Sequence, residues 1–574
     1  MRRALSTVLL ALTCLLGLAA SASAHALLES SNPARGAQLS EAPARVTFTF
    51  NEPVEGSLGA VRVFDTEGNQ VQSGELDRPG GKKTKVGVKL PSVLPDGLYT
   101  ATYRVVSADA HPISGGITFT VGKPGGDPSR FASEKTISEL LADSEAGRVT
   151  EVGFWLIRWL GYLALAIGIG LLAWILKAWR GPETTVASEA AMARRFRRLL
   201  LATILVGLFS SLMAIPFQGA IAAGTSLWEA FGSGIPNEVI HTRFGTMMLI
   251  RSAAWLALIP LVFAPARRLV SYSAEMILAL AGGAVIAVTP ALAGHASTRD
   301  PGWLTVPSDV LHVAAMAIWS GGLVAMVSLL PVATRQVESR SARTRLLTRV
   351  TRCFSAMAFT VAIVVGVTGA IQAIVDVGSV PDLFNNAFGR AVTIKIVLFV
   401  ILIGLGWANR DRIIPALVRR MEAGESPGGP GMRLRRVLRI EALLVVCVLG
   451  VSAALVSYPP PDSIQAGPTS GAVTTGPDRI EYTVDPGQVG SNEIHVYVFN
   501  DRTGAPVPVI SIELAFSMPE SQIDPIEVEA RRAGPGHFVV PNATFGVRGT
   551  WRADAAVRVS TFTERQARFD VEIK

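Results

Sequence analysis

Three residues, His25 and the more distant pair Asp109 and His111, carry types and spacings that could hold a metal ion. His25 follows Ser21-Ala22-Ser23-Ala24, a small-x-small pattern of the kind a signal peptidase cuts, and upstream Arg2-Arg3 precede an apolar run from Ala4 to Ala20. Cleavage after Ala24 makes His25 the first residue of the exported chain, so its free α-amine and its imidazole can close a chelate ring on one ion. Asp109 and His111 are two apart, which on an extended segment puts both side chains on one face. Pro112 biases His111 towards that extended backbone. The set offers three nitrogens and one carboxylate oxygen, which suits tetragonal Cu(II) better than tetrahedral zinc–sulfur chemistry or soft Cu(I). The plain structural alternative is a surface Asp and His closing a strand end.

Further residues around this set point the same way. His25-Ala26, the turn Ser31-Asn32-Pro33-Ala34-Arg35-Gly36, Phe50-Asn51-Glu52-Pro53-Val54 and Ser107-Ala108-Asp109-Ala110-His111-Pro112-Ile113-Ser114-Gly115 together resemble the CopC family of extracytoplasmic copper-binding β-sandwiches, over about residues 25 to 122. The resemblance implies Cu(II) held by the mature amino terminus and imidazole of His25, completed by Asp109 and His111. The Met-rich Cu(I) loop of some relatives has no counterpart, since Met1 is the only methionine before Met192.

The elements that must position these groups can be read from periodicity. Between Gly56 and Val121, short alternating runs separated by Pro and Gly turns suggest a small antiparallel sandwich. From 152 to 457, eight apolar segments are long enough to cross about 30 Å of hydrocarbon. Lys and Arg number six in 177 to 198, two in 264 to 272, six in 331 to 352 and seven in 409 to 437; the loops 223 to 243, 294 to 307 and 377 to 390 carry one each. Basic loops stay cytoplasmic, so both ends of the mature chain are expected outside. Beyond a Pro-, Gly- and Thr-rich linker, alternation resumes and predicts a second extracytoplasmic sandwich, weakly similar to YtkA-like domains. The expected organisation is a signal peptide 1–24, a CopC-like sandwich 25–122, a linker 123–151, an eight-span membrane domain 152–457, a linker 458–476 and a C-terminal β-sandwich 477–574.

Inside the membrane domain, His241, His295 and His312 fall near the predicted outer boundary. Asp309, His312 and Met316 stand three and four apart, hence on one helix face. Charged and imidazole groups in an apolar bundle are costly and usually serve a cavity or a partner. Imidazole with thioether tolerates Cu(I) as well as Cu(II). Met213, Met247 and Met248 are placed in the neighbouring outer half. Thr242-Arg243-Phe244-Gly245, Gly294-His295-Ala296 and Asp309-Val310-Leu311-His312 through Trp319-Ser320-Gly321-Gly322-Leu323 resemble the CopD family, which implies a copper-handling permease over roughly 152 to 457. In the C-terminal domain His495, Met518 and His537 could contact copper or simply be packed residues.

Composition narrows the class. Hydrophobic residues make up 49% and the formal net charge is +8, with the basic residues concentrated in loops. The charge is therefore a topology signal and gives no support to nucleic-acid binding. Three cysteines, at 14, 353 and 447, are too few for a disulfide framework. With no Walker or aspartyl-phosphate motif, an ATP-driven pump is not expected. The sequence is that of a non-enzymatic, multi-pass protein of a bacterial cytoplasmic membrane, expected to capture Cu(II) outside and pass copper, as Cu(I) or Cu(II), through the bundle, with import the favoured direction. Its partners are copper ions, membrane lipid and a copper-donating or copper-accepting protein that no motif names. Two rivals are extracytoplasmic sequestration or delivery to a cuproenzyme without transport, and a haem- or copper-dependent membrane oxidoreductase. The amino-terminal His resembles a polysaccharide-oxygenase copper brace, but Asp109 would occupy the position where oxygen should bind.

Overall fold

The computed structural model describes residues 26, 28–56, 60–107, 112–122, 140, 146–179, 184–298, 301–377, 379–458, 469–485, 487–521 and 523–573. The predicted signal peptide and most of both predicted linkers lie outside the described residues. The chain divides into a helical unit, 148–218 with 236–462, and a β-rich unit that contains 25–147, 219–235 and 463–574.

Eight helices in the described residues are long and apolar enough to cross a membrane: α1 Arg148–Lys177, α2 Val186–Ala223, α3 Arg243–Phe263, α4 Ala274–Ala293, α5 Gly302–Thr334, α6 Arg340–Val377, α7 Ala387–Glu422 and α8 Gly428–Leu455. Several exceed the roughly 20 residues needed to span the hydrocarbon; the basic ends of α2 and α6 extend past their apolar stretches. In the apolar window of α5 61% of the residues are buried, against 11% in that of α7, so α5 is enclosed by protein and α7 faces outward. Small residues permit that enclosure. A Cβ on Gly321 of α5 would collide with the Ala166 carbonyl of α1, and one on Gly170 would collide with Gly321 itself. Trp155 and Trp159 of α1 donate their indole N–H groups to the Gly450 and Val446 carbonyls of α8 at 3.0 and 3.1 Å. Gly321→Ala is expected to force α1 from α5 at a cost of about 1–3 kcal/mol, read as a lower thermal midpoint of the detergent-solubilised chain. Gly404→Ala, where a Cβ meets nothing within 4 Å, should cause no such loss.

In the β-rich unit the amino-terminal part is a two-sheet sandwich. One sheet runs β1 (Leu28–Asn32), β3 (Arg45–Phe50), β6 (Lys85–Lys89), β5 (Ser73–Asp77); the other runs β2 (Ala37–Leu39), β8 (Pro112–Val121), β7 (Gly97–Val106), β4 (Val61–Phe64). Strand alternation builds the core, with Val46, Phe48 and Phe50 from β3 meeting Tyr99, Ala101, Tyr103, Ile117 and Phe119 from β7 and β8. The predicted antiparallel pattern holds except where β2 joins β8 in parallel.

The carboxy-terminal part is all-β, and its eight strands form one sheet: β16 (Thr563–Ile573), β15 (Gly549–Ser560), β12 (Ser511–Met518), β13 (Ile523–Gly534), β14 (His537–Phe545), β11 (Gly490–Asn500), β10 (Asp478–Asp485), β9 (Thr469–Thr475). The sheet folds back on itself. Edge strand β9 reaches β16 through Thr469 Oγ1 to the Glu572 carbonyl at 3.2 Å and Thr475 Oγ1 to the Gln566 carbonyl at 3.0 Å. Even-numbered residues of β11, Ile494, Val496 and Val498, fill the interior. Glu493, His495 and Tyr497 point to the other face and are also buried.

Candidate metal centres

His25, Asp109 and His111 lie outside the described residues, but the strands that flank them meet at one end of the amino-terminal sandwich. Leu28 at the start of β1 pairs with Phe50 at the end of β3. Just beyond, Glu55 and Val106 exchange backbone hydrogen bonds of 2.7 and 2.6 Å, and Val106 at the end of β7 pairs with Pro112 at the start of β8. The described residues that flank them, Leu28, 51–55, Val106 and Pro112, are thus brought to one end by backbone pairing, and Ala26 is fully buried. The Glu52 side chain is also buried there, at 3% exposure. Pattern alone assigns Glu52 no role, and its one signal is an acid set between an apolar strand end and Pro53.

In the helical unit, Asp309 and His312 of α5 each meet a polar side chain of α6. Gln372 Nε2 donates to Asp309 Oδ1 at 3.1 Å, and His312 Nδ1 stands 3.0 Å from Thr368 Oγ1. Gly369 makes room for the imidazole, since a Cβ there would stand 3.3 Å from His312 Cε1. Thr368, Gln372 and Asp376 recur every four residues and so share one face of α6. Asp376 and Lys395 of α7 lie within electrostatic reach of Asp309. Met316 is partly buried against the core. His241 is exposed at the end of a short helix, Ile235–Ile240. The His295 side chain lies outside the described residues. Met247 and Met248 are buried in α3, and Arg251 Nε donates to Thr289 Oγ1 at 2.7 Å. Among the described residues no three of His, Cys, Asp and Glu are grouped to hold one ion. Thr368 and Gln372 were missed because neutral polar residues barely disturb an apolar run.

A third polar cluster, unforeseen as a unit, lies where the two β domains meet within the β-rich unit. Thr100, Thr102, Thr118 and Thr120 on the outward face of β7 and β8 are all buried. Thr118 Oγ1 donates to Glu493 Oε1 at 3.0 Å, and Arg35 Nη1 reaches the Asp485 carboxylate at 3.4 Å and its carbonyl at 3.0 Å. His495 Nδ1 is 3.1 Å from His537 Nε2. Burial, with Arg35 nearby, pushes His495 down to about 3, and burial beside His495 holds His537 well below its ordinary value. Burial thus favours the neutral form of both rings. Burial pushes the Glu493 carboxyl up to about 8. Met518 joins neither ring; it packs in the barrel interior beside Gly549.

The Arg35 contact gives a signed prediction. Burial raises Asp485 above 3.8 even though Arg35 opposes the shift, so the folded chain loses stability as pH rises through the window above 3.8. Arg35→Ala removes the guanidinium that counters this, and leaving a buried partner unpaired costs about 3 kcal/mol. The penalty is expected to be largest near neutrality and to shrink in acid as Asp485 takes a proton, measured by chemical unfolding across pH.

A β-sandwich, eight apolar helices and a second all-β domain in one chain define a multidomain membrane protein. Family models match in the same order: the CopC domain over residues 28–122, the N-terminal domain of copper resistance protein D-like proteins over 149–306, and copper resistance protein D over 348–455. The chain belongs to the CopC/CopD copper resistance family, as a fusion of the two. It is 27% identical over 551 residues to copper transport protein CutJ of Bacillus subtilis, covering 94% of each chain. It is 29% identical over 309 residues to copper resistance protein D of Pseudomonas syringae, covering 53% of this chain and 96% of the relative. It is 33% identical over 113 residues to copper resistance protein C of Escherichia coli, covering 18% and 88%.

Proposed function

We propose that the exported chain captures Cu(II) with His25, Asp109 and His111 in its CopC-like sandwich and passes copper to the helical unit for import. The observation that carries this reading is that Asp309 and His312, on the most enclosed helix, face polar side chains of α6 in a chain that also bears a CopC domain. The basic loops give the orientation: both β domains outside a bacterial cytoplasmic membrane. A cation entering a cell that is negative inside gains about 2.3 kcal/mol per charge per 100 mV, so the potential favours inward passage without ATP. In this reading the protein is a permease and not an enzyme, copper is its cargo, and either oxidation state crosses at the imidazole–carboxylate pair. Cells lacking the protein are expected to take up less copper under copper limitation, with restoration by the intact gene. Unchanged uptake in cells shown to make the protein otherwise contradicts import.

A further inference from the structure

The His495–His537 pair belongs to neither copper position above, and its geometry is that of a ligand pair. The two residues sit on adjacent strands β11 and β14, where Tyr497 is in register with His537. Their rings are fully buried, with centroids 5.3 Å apart and planes inclined by 18°. Read as a hydrogen bond, the 3.1 Å contact uses one proton between two neutral imidazoles. Among the described residues it leaves both outer nitrogens, His537 Nδ1 and His495 Nε2, buried without a hydrogen-bond partner, an unfavourable state for a polar group. On the far side of His495, Nε2 stands 3.5 Å from Glu493 Oε1. A carboxylate behind one ring nitrogen is how proteins commonly orient an imidazole whose other nitrogen binds a metal.

We propose that His495 Nδ1 and His537 Nε2 form a two-nitrogen site for a monovalent d10 cation, Cu(I). Two donors fall short of the four that zinc takes in a structural site and of the tetragonal set that Cu(II) favours. A monovalent ion also adds the least charge to a buried pocket. Opposed metal–nitrogen bonds of about 2 Å each need the nitrogens roughly 4 Å apart, so uptake spreads the rings by about 1 Å. Met518 contributes nothing, because it faces the opposite side of the sheet.

The site rests on the copper reading only for the choice of metal. The test uses the full-length chain in detergent with His25→Ala and His312→Ala in place, so that its failure is separable from failure of capture or transport. Cu(I), supplied anaerobically with ascorbate, is titrated against a Cu(I) chelator, with Ag(I) in parallel. The parent is expected to bind one equivalent more than His495→Gln or His537→Gln. Glu493→Gln should keep that stoichiometry and lose about 10- to 100-fold in affinity. X-ray absorption of the parent carrying one equivalent should show two nitrogen neighbours at about 2 Å and no sulfur, which decides the matter even if the histidine variants fail to fold. Equal copper content in parent and variants, or a copper environment with sulfur or with four ligands, overturns the proposal.

Discussion

His25→Ala is expected to lower the Cu(II) affinity of the exported chain by at least about a thousandfold, or about 4 kcal/mol, because one substitution removes half of a chelate. The loss should be reproduced without touching the imidazole. Leaving two residues ahead of His25, as cleavage after Ala22 would, converts the amine to an amide and takes away that donor. The free amine has an ordinary pKa of about 7.7 to 8 and must be deprotonated to bind, so affinity in the native protein should fall steeply from neutrality into mild acid. Chelator competition at several pH values measures all three effects. Tight, pH-independent binding by the His25→Ala chain would remove the amino-terminal site.

His312→Ala is expected to reduce copper passage more than tenfold while leaving Cu(II) binding by the amino-terminal domain unchanged. The substitution removes an imidazole that meets the Thr368 hydroxyl at 3.0 Å. Losing a neutral hydrogen bond of that kind costs about 1 kcal/mol of stability, so the bundle should still fold. Asp309→Asn should act in the same direction and keep the contact with Gln372. Measured as uptake rate per folded protein, a large loss of passage with a small change in thermal midpoint separates a cargo-handling role from a packing role. Equal rates in the variants and their parent would make Asp309 and His312 structural.

The eight helices were legible because long apolar runs have few other fates, and the two β domains because alternation survives without knowledge of pairing. The contacts that join strands distant in sequence were not. Thr118 and Glu493 are 375 residues apart, and the Thr residues of β7 and β8 read as an ordinary outward face until a second sheet is seen to cover them. Likewise Glu493, His495 and Tyr497 fall on the face of β11 that alternation assigns to solvent, and only burial reveals their company. Parallel pairing of β2 with β8 was also hidden, since a three-residue strand carries too little pattern to choose a neighbour. In the membrane, Asp309 and His312 stood out as costly groups, whereas the Thr368 and Gln372 side chains that meet them did not.

Copper accumulation inside sealed proteoliposomes bearing the full-length protein and a negative interior potential tests the central claim most directly. Passage into the lumen, cut more than tenfold by His312→Ala and reduced when the potential is collapsed, is the result expected. Stoichiometric binding of copper to the protein with none reaching the lumen, whatever the potential, would contradict it.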